Sequence, residues 1–182
     1  YYFCPFYMNT KKHRHRRKLP EINRSLGSIA SHPSVRIQSI LFLCEDNYYR
    51  SRYAEEFLNY RAELLGMPWR AVSRGLDESC NEFAQSSCIH PKVFEFAESK
   101  GVQILGSNRF PLRVEETDFP EHDRIIALND AEHRPLLEKI SPLQKDRVEY
   151  WDIKNLEVWS ADRALGELEE CLHKLTAELI DT

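Results

Sequence analysis

Cys44, Asn47, Arg50 and Ser51 fall within eight residues, and their types and spacing suit attack on phosphorus. An apolar run, Ile40-Leu41-Phe42-Leu43, ends in Cys44, and after five residues Arg50-Ser51 opens an amphipathic segment. That order predicts a thiol at the end of a buried strand and at the N-terminus of the next helix. A helix start presents unpaired N–H groups and the positive end of the macrodipole, so it draws anions. The same field favours the thiolate, which is the nucleophilic form. Arg50 adds a planar guanidinium able to grip a phosphate through two parallel hydrogen bonds. Asn47 tolerates the left-handed backbone that a tight anion loop needs. A cysteine that closes an aliphatic strand is usually there for packing. The arginine and serine at this spacing, with a helix following at once, turn the reading to a cysteine-dependent phosphate loop.

The loop resembles that of the low-molecular-weight protein tyrosine phosphatases, which carry a cysteine, five residues, then arginine and serine between the first strand and first helix. Cys44, Asn47, Arg50 and Ser51 match that pattern, Ala54-Glu55 matches the start of the helix, and the likeness runs from about Ser39 to the C-terminus. The resemblance implies that Cys44 attacks phosphorus, Arg50 binds the equatorial oxygens, Ser51 stabilises the thiolate and Asn47 holds the loop in shape. It further implies an aspartic acid before the last helix that protonates the leaving oxygen, a step that general acid catalysis makes possible. Asp152, in Tyr150-Trp151-Asp152-Ile153, stands at that position, and Asp130 and Asp146 are weaker candidates. Asn47, Tyr48, Tyr49 and Ser51 are expected around the substrate, with Tyr48, Tyr49, Trp151 or Trp159 replacing the paired tyrosines that wall the family's pocket.

The sequence departs from the family within the loop, just after it and after the candidate acid. Asp46 replaces the usual glycine two after the cysteine, and Glu45 precedes it; both are expected to turn to solvent, since inward carboxylates oppose an anion. Tyr49 replaces the second cysteine of many members, so their disulfide safeguard is missing. Arg52 stands where proline is common and is expected to add positive charge at the rim of the loop. Ile153 replaces the proline after the acid.

These residues need a sheet to position them. Periodicity predicts strands at 36–43, 69–73, 123–128 and 148–150, and helices at 51–65, 91–100, 130–140 and 160–180. Gly66-Met67-Pro68 stops the first helix, Pro91 starts the second, and Ser160 caps the last. Strands alternating with helices imply an α/β, three-layer fold: a four-stranded parallel sheet with helices on both faces and the phosphate loop between first strand and first helix. Ligands in such sheets bind at the carboxyl ends of strands, where Cys44 falls.

Composition sets the wider frame. Residues 1–38 hold eight Lys/Arg against one Glu, and the remainder holds 17 against 28, a net of −11. Residues 1–35, centred on Lys11-Lys12-His13-Arg14-His15-Arg16-Arg17-Lys18, are read as a basic, disordered extension to a phosphatase-like domain at 36–182. Such a run attracts nucleic acid or anionic lipid, but its commoner state is a solvated tail, and no nucleic-acid partner is expected elsewhere. Five irregularly spaced cysteines do not form a disulfide framework, which fits a reducing, cytoplasmic location. No stretch is apolar and long enough to span a bilayer, and no metal or other cofactor is expected from the scattered histidines. The expected partner is a phosphorylated protein or small phosphate monoester. Two other readings stand beside the hydrolase. One is a phosphate- or phosphopeptide-binding module without turnover, suggested by Glu45, Asp46 and Ile153. The other is a thiol-linked arsenate reductase, suggested by Cys80 and Cys88.

Overall fold

Strand β1 (Gln38–Cys44) has aliphatic side chains buried on both of its faces, the signature of a central strand in a parallel sheet. The computed structural model describes residues 36–78, 80, 88–106, 108–155 and 158–180; the expected basic extension lies outside them. After β1 come α1 (Arg50–Leu65), β2 (Trp69–Gly75), α2 (Pro91–Ser99), the single turn α3 (Asp118–Glu121) and β3 (Arg124–Ala127). Then follow α4 (Asp130–Ile140), a 3-10 turn (Lys145–Arg147), β4 (Glu149–Tyr150) and α5 (Ala161–Ile180). The sheet runs β2-β1-β3-β4 and every pairing is parallel. Chain order therefore reverses beside β1, and the carboxyl end of that strand is the crevice where such sheets bind ligands.

Two cores sandwich the sheet. Ile40, Phe42 and Cys44 share one core with Phe57 and Leu58 of α1, Val93 of α2, and Leu165, Leu168 and Leu172 of α5. Leu41 and Leu43 pack on the other face with Phe119 of α3 and Leu137 of α4. The expected three layers are present. Gly66, at φ 66°, takes the left-handed conformation that stops α1, and the Arg163 amide donates to Ser160 Oγ at 3.4 Å at the start of α5. The short helix α3 and the 3-10 turn carry no apolar repeat long enough to read from sequence.

The outer edge of β2 ends on a side chain. Asn59 of α1 donates its amide to the Ala71 carbonyl and accepts from the Ala71 amide, both at 2.9 Å. Both backbone groups of that edge residue are thereby taken.

Gly75 pairs in register with Cys44. A Cβ there would lie 2.0 Å from Cys80 Sγ, 2.9 Å from the Glu45 carbonyl oxygen and 3.1 Å from the Asn47 amide nitrogen. Two of those neighbours are loop backbone and cannot rotate away. Gly75→Ala is therefore expected to destabilise the protein by about 1–3 kcal/mol, read as a lower midpoint in chemical denaturation.

Candidate active site

The five residues between Cys44 and Arg50 form a closed loop because one of them bends the chain left-handed. Asn47 has φ 54°, and among the described residues no other non-glycine has positive φ. Its side chain is fully buried and used on both ends. The amide nitrogen donates to Ser51 Oγ at 3.0 Å and Ser73 Oγ at 2.7 Å. The amide oxygen accepts from the Leu112 backbone at 2.9 Å and from Arg109 Nη1 at 3.0 Å. Asn47 thus ties the loop to α1, β2 and the segment before α3.

Cys44 lies inside this loop. Ser51 Oγ is 2.9 Å from its sulfur, and the Asn47 amide donates to the sulfur at 3.2 Å. Tyr49, at the N-cap of α1, makes no side-chain capping bond, and the first turn has no acidic residue. Burial and the Asp46 carboxylate push the Cys44 thiol up, while the Arg50 guanidinium and the hydroxyl and amide of Ser51 pull it down. The net direction is upward, opposite to the shift expected from the helix field alone.

Arg50 is 4 % exposed and anchored twice. Its Nη1 donates to the Ile153 carbonyl at 2.7 Å and its Nη2 to Glu132 Oε2 at 2.8 Å. The sheet thereby brings Cys44, Asn47, Arg50 and Ser51 together with the 152–153 segment that follows β4. Asp152 itself is exposed; its carboxylate pairs with Lys154 and accepts from Asn129 Nδ2 at 3.3 Å. Asp130 and Asp146 stand elsewhere: Asp130 pairs with Arg134 on an exposed face of α4, and Asp146 lies in the 3-10 turn.

Several expectations need correction. Asp46 does not turn to solvent. Its Oδ1 accepts from the Tyr48 amide at 3.1 Å and lies 3.8 Å from Cys44 Sγ, so a carboxylate occupies one of the loop's own donors. Glu45 is exposed, and its carboxyl is held up by burial of part of the side chain and by Asp46. Tyr49, expected at the substrate, is 5 % exposed, with its hydroxyl on the Ala161 carbonyl at 2.8 Å, because position 49 faces the core shared with α5. Tyr48 is partly exposed and meets His90 edge-on at 5.4 Å between centroids, leaving an aromatic pair beside the loop. Arg52 does not charge the rim. It is fully buried, donating to Glu55 Oε2 at 2.9 Å and to the Gly106 carbonyl at 2.7 Å, with Glu56 at 3.5 Å.

That buried charge cluster supports the loop from behind. Arg109 Nη2 donates to Glu55 Oε2 at 2.5 Å and to Ser73 Oγ at 2.9 Å, while Ser73 donates to Glu55 at 2.5 Å. Sequence reading missed Arg109, Ser73, Glu132 and Asn129. Only the last two had a local signal, an Asn-x-x-Glu at the start of a helix. Cys80 Sγ donates to the Glu45 carbonyl at 3.5 Å, close to Cys44, but burial pushes its thiol up to about 12, against a thiolate relay. Among the described residues, no group of three or more His, Cys, Asp or Glu could hold a metal ion, and no helix is long and apolar enough to cross a membrane.

Solved structures share this architecture. YfkJ from Bacillus subtilis superposes with a TM-score of 0.68 at 19 % identity, covering 82 % of this chain and 98 % of that one. Wzb from Vibrio vulnificus, in complex with benzylphosphonate, gives 0.66 at 16 % identity, covering 78 % and 99 %. The YwlE arginine phosphatase gives 0.64 at 21 % identity, covering 78 % and 95 %. No curated protein matches the sequence significantly. The family model described as low molecular weight phosphotyrosine protein phosphatase, however, matches residues 39–179, which span the sheet, the loop around Cys44 and nearly all of α5. By that match, and by the strand–loop–helix geometry just described, this chain belongs to the low-molecular-weight phosphotyrosine protein phosphatases.

Proposed function

We propose that this phosphatase hydrolyses aryl phosphate monoesters, either phosphotyrosine in proteins or small aryl phosphates, through a phosphocysteine on Cys44. The observation that carries the proposal is the sulfur inside the loop, 2.9 Å from the Ser51 hydroxyl and 3.2 Å from the Asn47 amide. Nearby, Arg50 is anchored so that its remaining N–H groups are free for phosphate. The Tyr48–His90 pair beside the loop supports an aromatic leaving group.

In the first step the sulfur forms a bond to phosphorus while the bond to the leaving oxygen breaks. Loop N–H groups and Arg50 hold the charge on the equatorial oxygens. Asp152 gives its proton to the leaving oxygen. In the second step Asp152 takes a proton from water, the water oxygen attacks phosphorus, and the sulfur departs. The raised thiol fits this scheme. A thiol meeting a phosphate dianion holds the same number of protons as a thiolate meeting the monoanion, so the proton passes to the phosphate as attack begins. A thiol nucleophile works only when reduced, and a cytoplasmic setting accompanies the proposal.

One observation favours a second reading, a binding module without turnover: the Asp46 carboxylate sits on the Tyr48 amide, near the sulfur. The two readings separate on chemistry. Under the first, a chromogenic aryl phosphate is hydrolysed in the presence of a chelator, rapid quench traps a phosphoprotein, and Cys44→Ser abolishes both. Bound phosphate with neither turnover nor phosphoprotein would establish the second. Asp152→Asn is expected to lower kcat by about 10²–10⁴ on poor leaving groups, and by far less on nitrophenolate, which needs no protonation.

Asp46 also supplies a pH prediction. Its carboxylate raises the Cys44 thiol, so Asp46→Asn should lower it. The rate of Cys44 alkylation by iodoacetamide, followed against pH, should rise at lower pH in Asp46→Asn than in the wild type. Inorganic phosphate should also inhibit the variant more strongly.

A further inference from the structure

Arg50 has five N–H donors, and two of them are committed before any substrate arrives. The acceptors are the Ile153 carbonyl and the carboxylate of Glu132. Such a carboxylate can act in two opposite ways. It can compete with phosphate for the guanidinium, or it can hold the guanidinium where phosphate needs it. The local geometry of α4 decides between them.

Asn129 caps α4, and its side chain accepts from the Glu132 amide at 3.0 Å. This is half of a capping box; in the complete box the glutamate reaches back to the amide of the cap residue. Here that amide is already taken. Asn129 N–H donates to His133 Nδ1 at 3.0 Å, which leaves the Glu132 carboxylate free to extend to Arg50. His133 is fully buried, and burial together with Arg50 pushes it down to about 3, so it stays neutral with its hydrogen on Nε2. That Nε2 makes no hydrogen bond and lies 3.7 Å from Glu132 Oε2, the oxygen that accepts from Arg50. The Asn129 side-chain amide meanwhile donates to both Asp152 Oδ1 and the Ile153 carbonyl, each at 3.3 Å. One helical turn therefore reaches the guanidinium and the candidate acid together.

We infer that Glu132 is a positioning residue for Arg50: it fixes the guanidinium with Nε–H and one hydrogen on each terminal nitrogen left for the phosphate. This rests on the phosphatase reading for its effect on turnover, but not for its effect on Arg50. Three N–H groups remain after the two anchors, enough for a paired grip on two phosphate oxygens.

The test compares Glu132→Ala with Glu132→Gln in the full chain, using an aryl phosphate for turnover, inorganic phosphate for binding, and the Arg50 guanidinium signals in 15N-edited NMR. In Glu132→Ala, kcat should fall by about 10- to 100-fold with KM changed much less, since a displaced group costs mainly in the transition state. The Arg50 Nη signals should broaden, and the thermal midpoint should fall as well, because the buried guanidinium loses the carboxylate it pairs with. Glu132→Gln keeps an oxygen that accepts from Nη2 and should retain kcat within about threefold, with sharp Nη signals. Tighter phosphate binding with undiminished turnover in Glu132→Ala would show competition and overturn the inference. So would Nη signals as sharp as in the wild type, or a glutamine variant as impaired as the alanine one. Should the wild type itself show no turnover, the phosphatase reading fails alone, and the NMR and phosphate-binding arms still decide the role of Glu132.

Discussion

The loop exists because one buried amide side chain satisfies four partners while its backbone sits in a region that costs most residues about 1 kcal/mol or more. Glycine would adopt φ 54° more easily, but it has no atoms with which to meet Ser51, Ser73, Leu112 and Arg109. Removing the Asn47 side chain would strand buried donors and acceptors on three separate segments, each costing about 1–3 kcal/mol. The sulfur's surroundings follow from this one residue. Ser51 Oγ is held by Asn47 Nδ2 on one side and stands next to Cys44 on the other.

Behind that amide lies an unusual quantity of buried charge. Arg52 is fully buried, and Glu55 and Glu56 of the next turn are nearly so, with Arg109 closing the group. Two guanidiniums and two carboxylates balance, and Glu56 also accepts from the Leu105 and Gly106 amides. Groups arranged this way seldom add net stability over a hydrocarbon core, but losing any single member leaves a charge in a dry place. Geometric definition is what such an arrangement supplies, and here it defines the wall on which Asn47 and Ser73 rest.

Much of this was legible in the sequence. The Ile40–Leu43 run reads as a buried strand and is one, and the helix expected at 160–180 buries the leucines at 165, 168, 172, 175 and 179. Gly66 and Pro91 end and begin helices as their backbone preferences require. Arg52 was misplaced because a charged residue in a first helical turn normally finds water, and its distant acceptor, the Gly106 carbonyl, has no local signature. Asp46 was misplaced for the opposite reason. A short carboxylate two residues before an amide closes a turn on itself wherever the backbone allows, and the backbone became visible only with the fold. Arg109 lies 62 residues from Asn47 in an irregular segment, where periodicity says nothing.

At the far side of the sheet, Asn59 imitates a neighbouring strand. By accepting from and donating to Ala71, its carboxamide offers the edge the same pair of bonds that another chain's backbone would bring. An exposed parallel edge otherwise recruits further polypeptide and seeds aggregates. A single planar group rooted in α1 makes such recruitment redundant at that position, and does so without a proline in the strand. The helix that carries Arg50 on its first turn thus shields the sheet's outer margin two turns later.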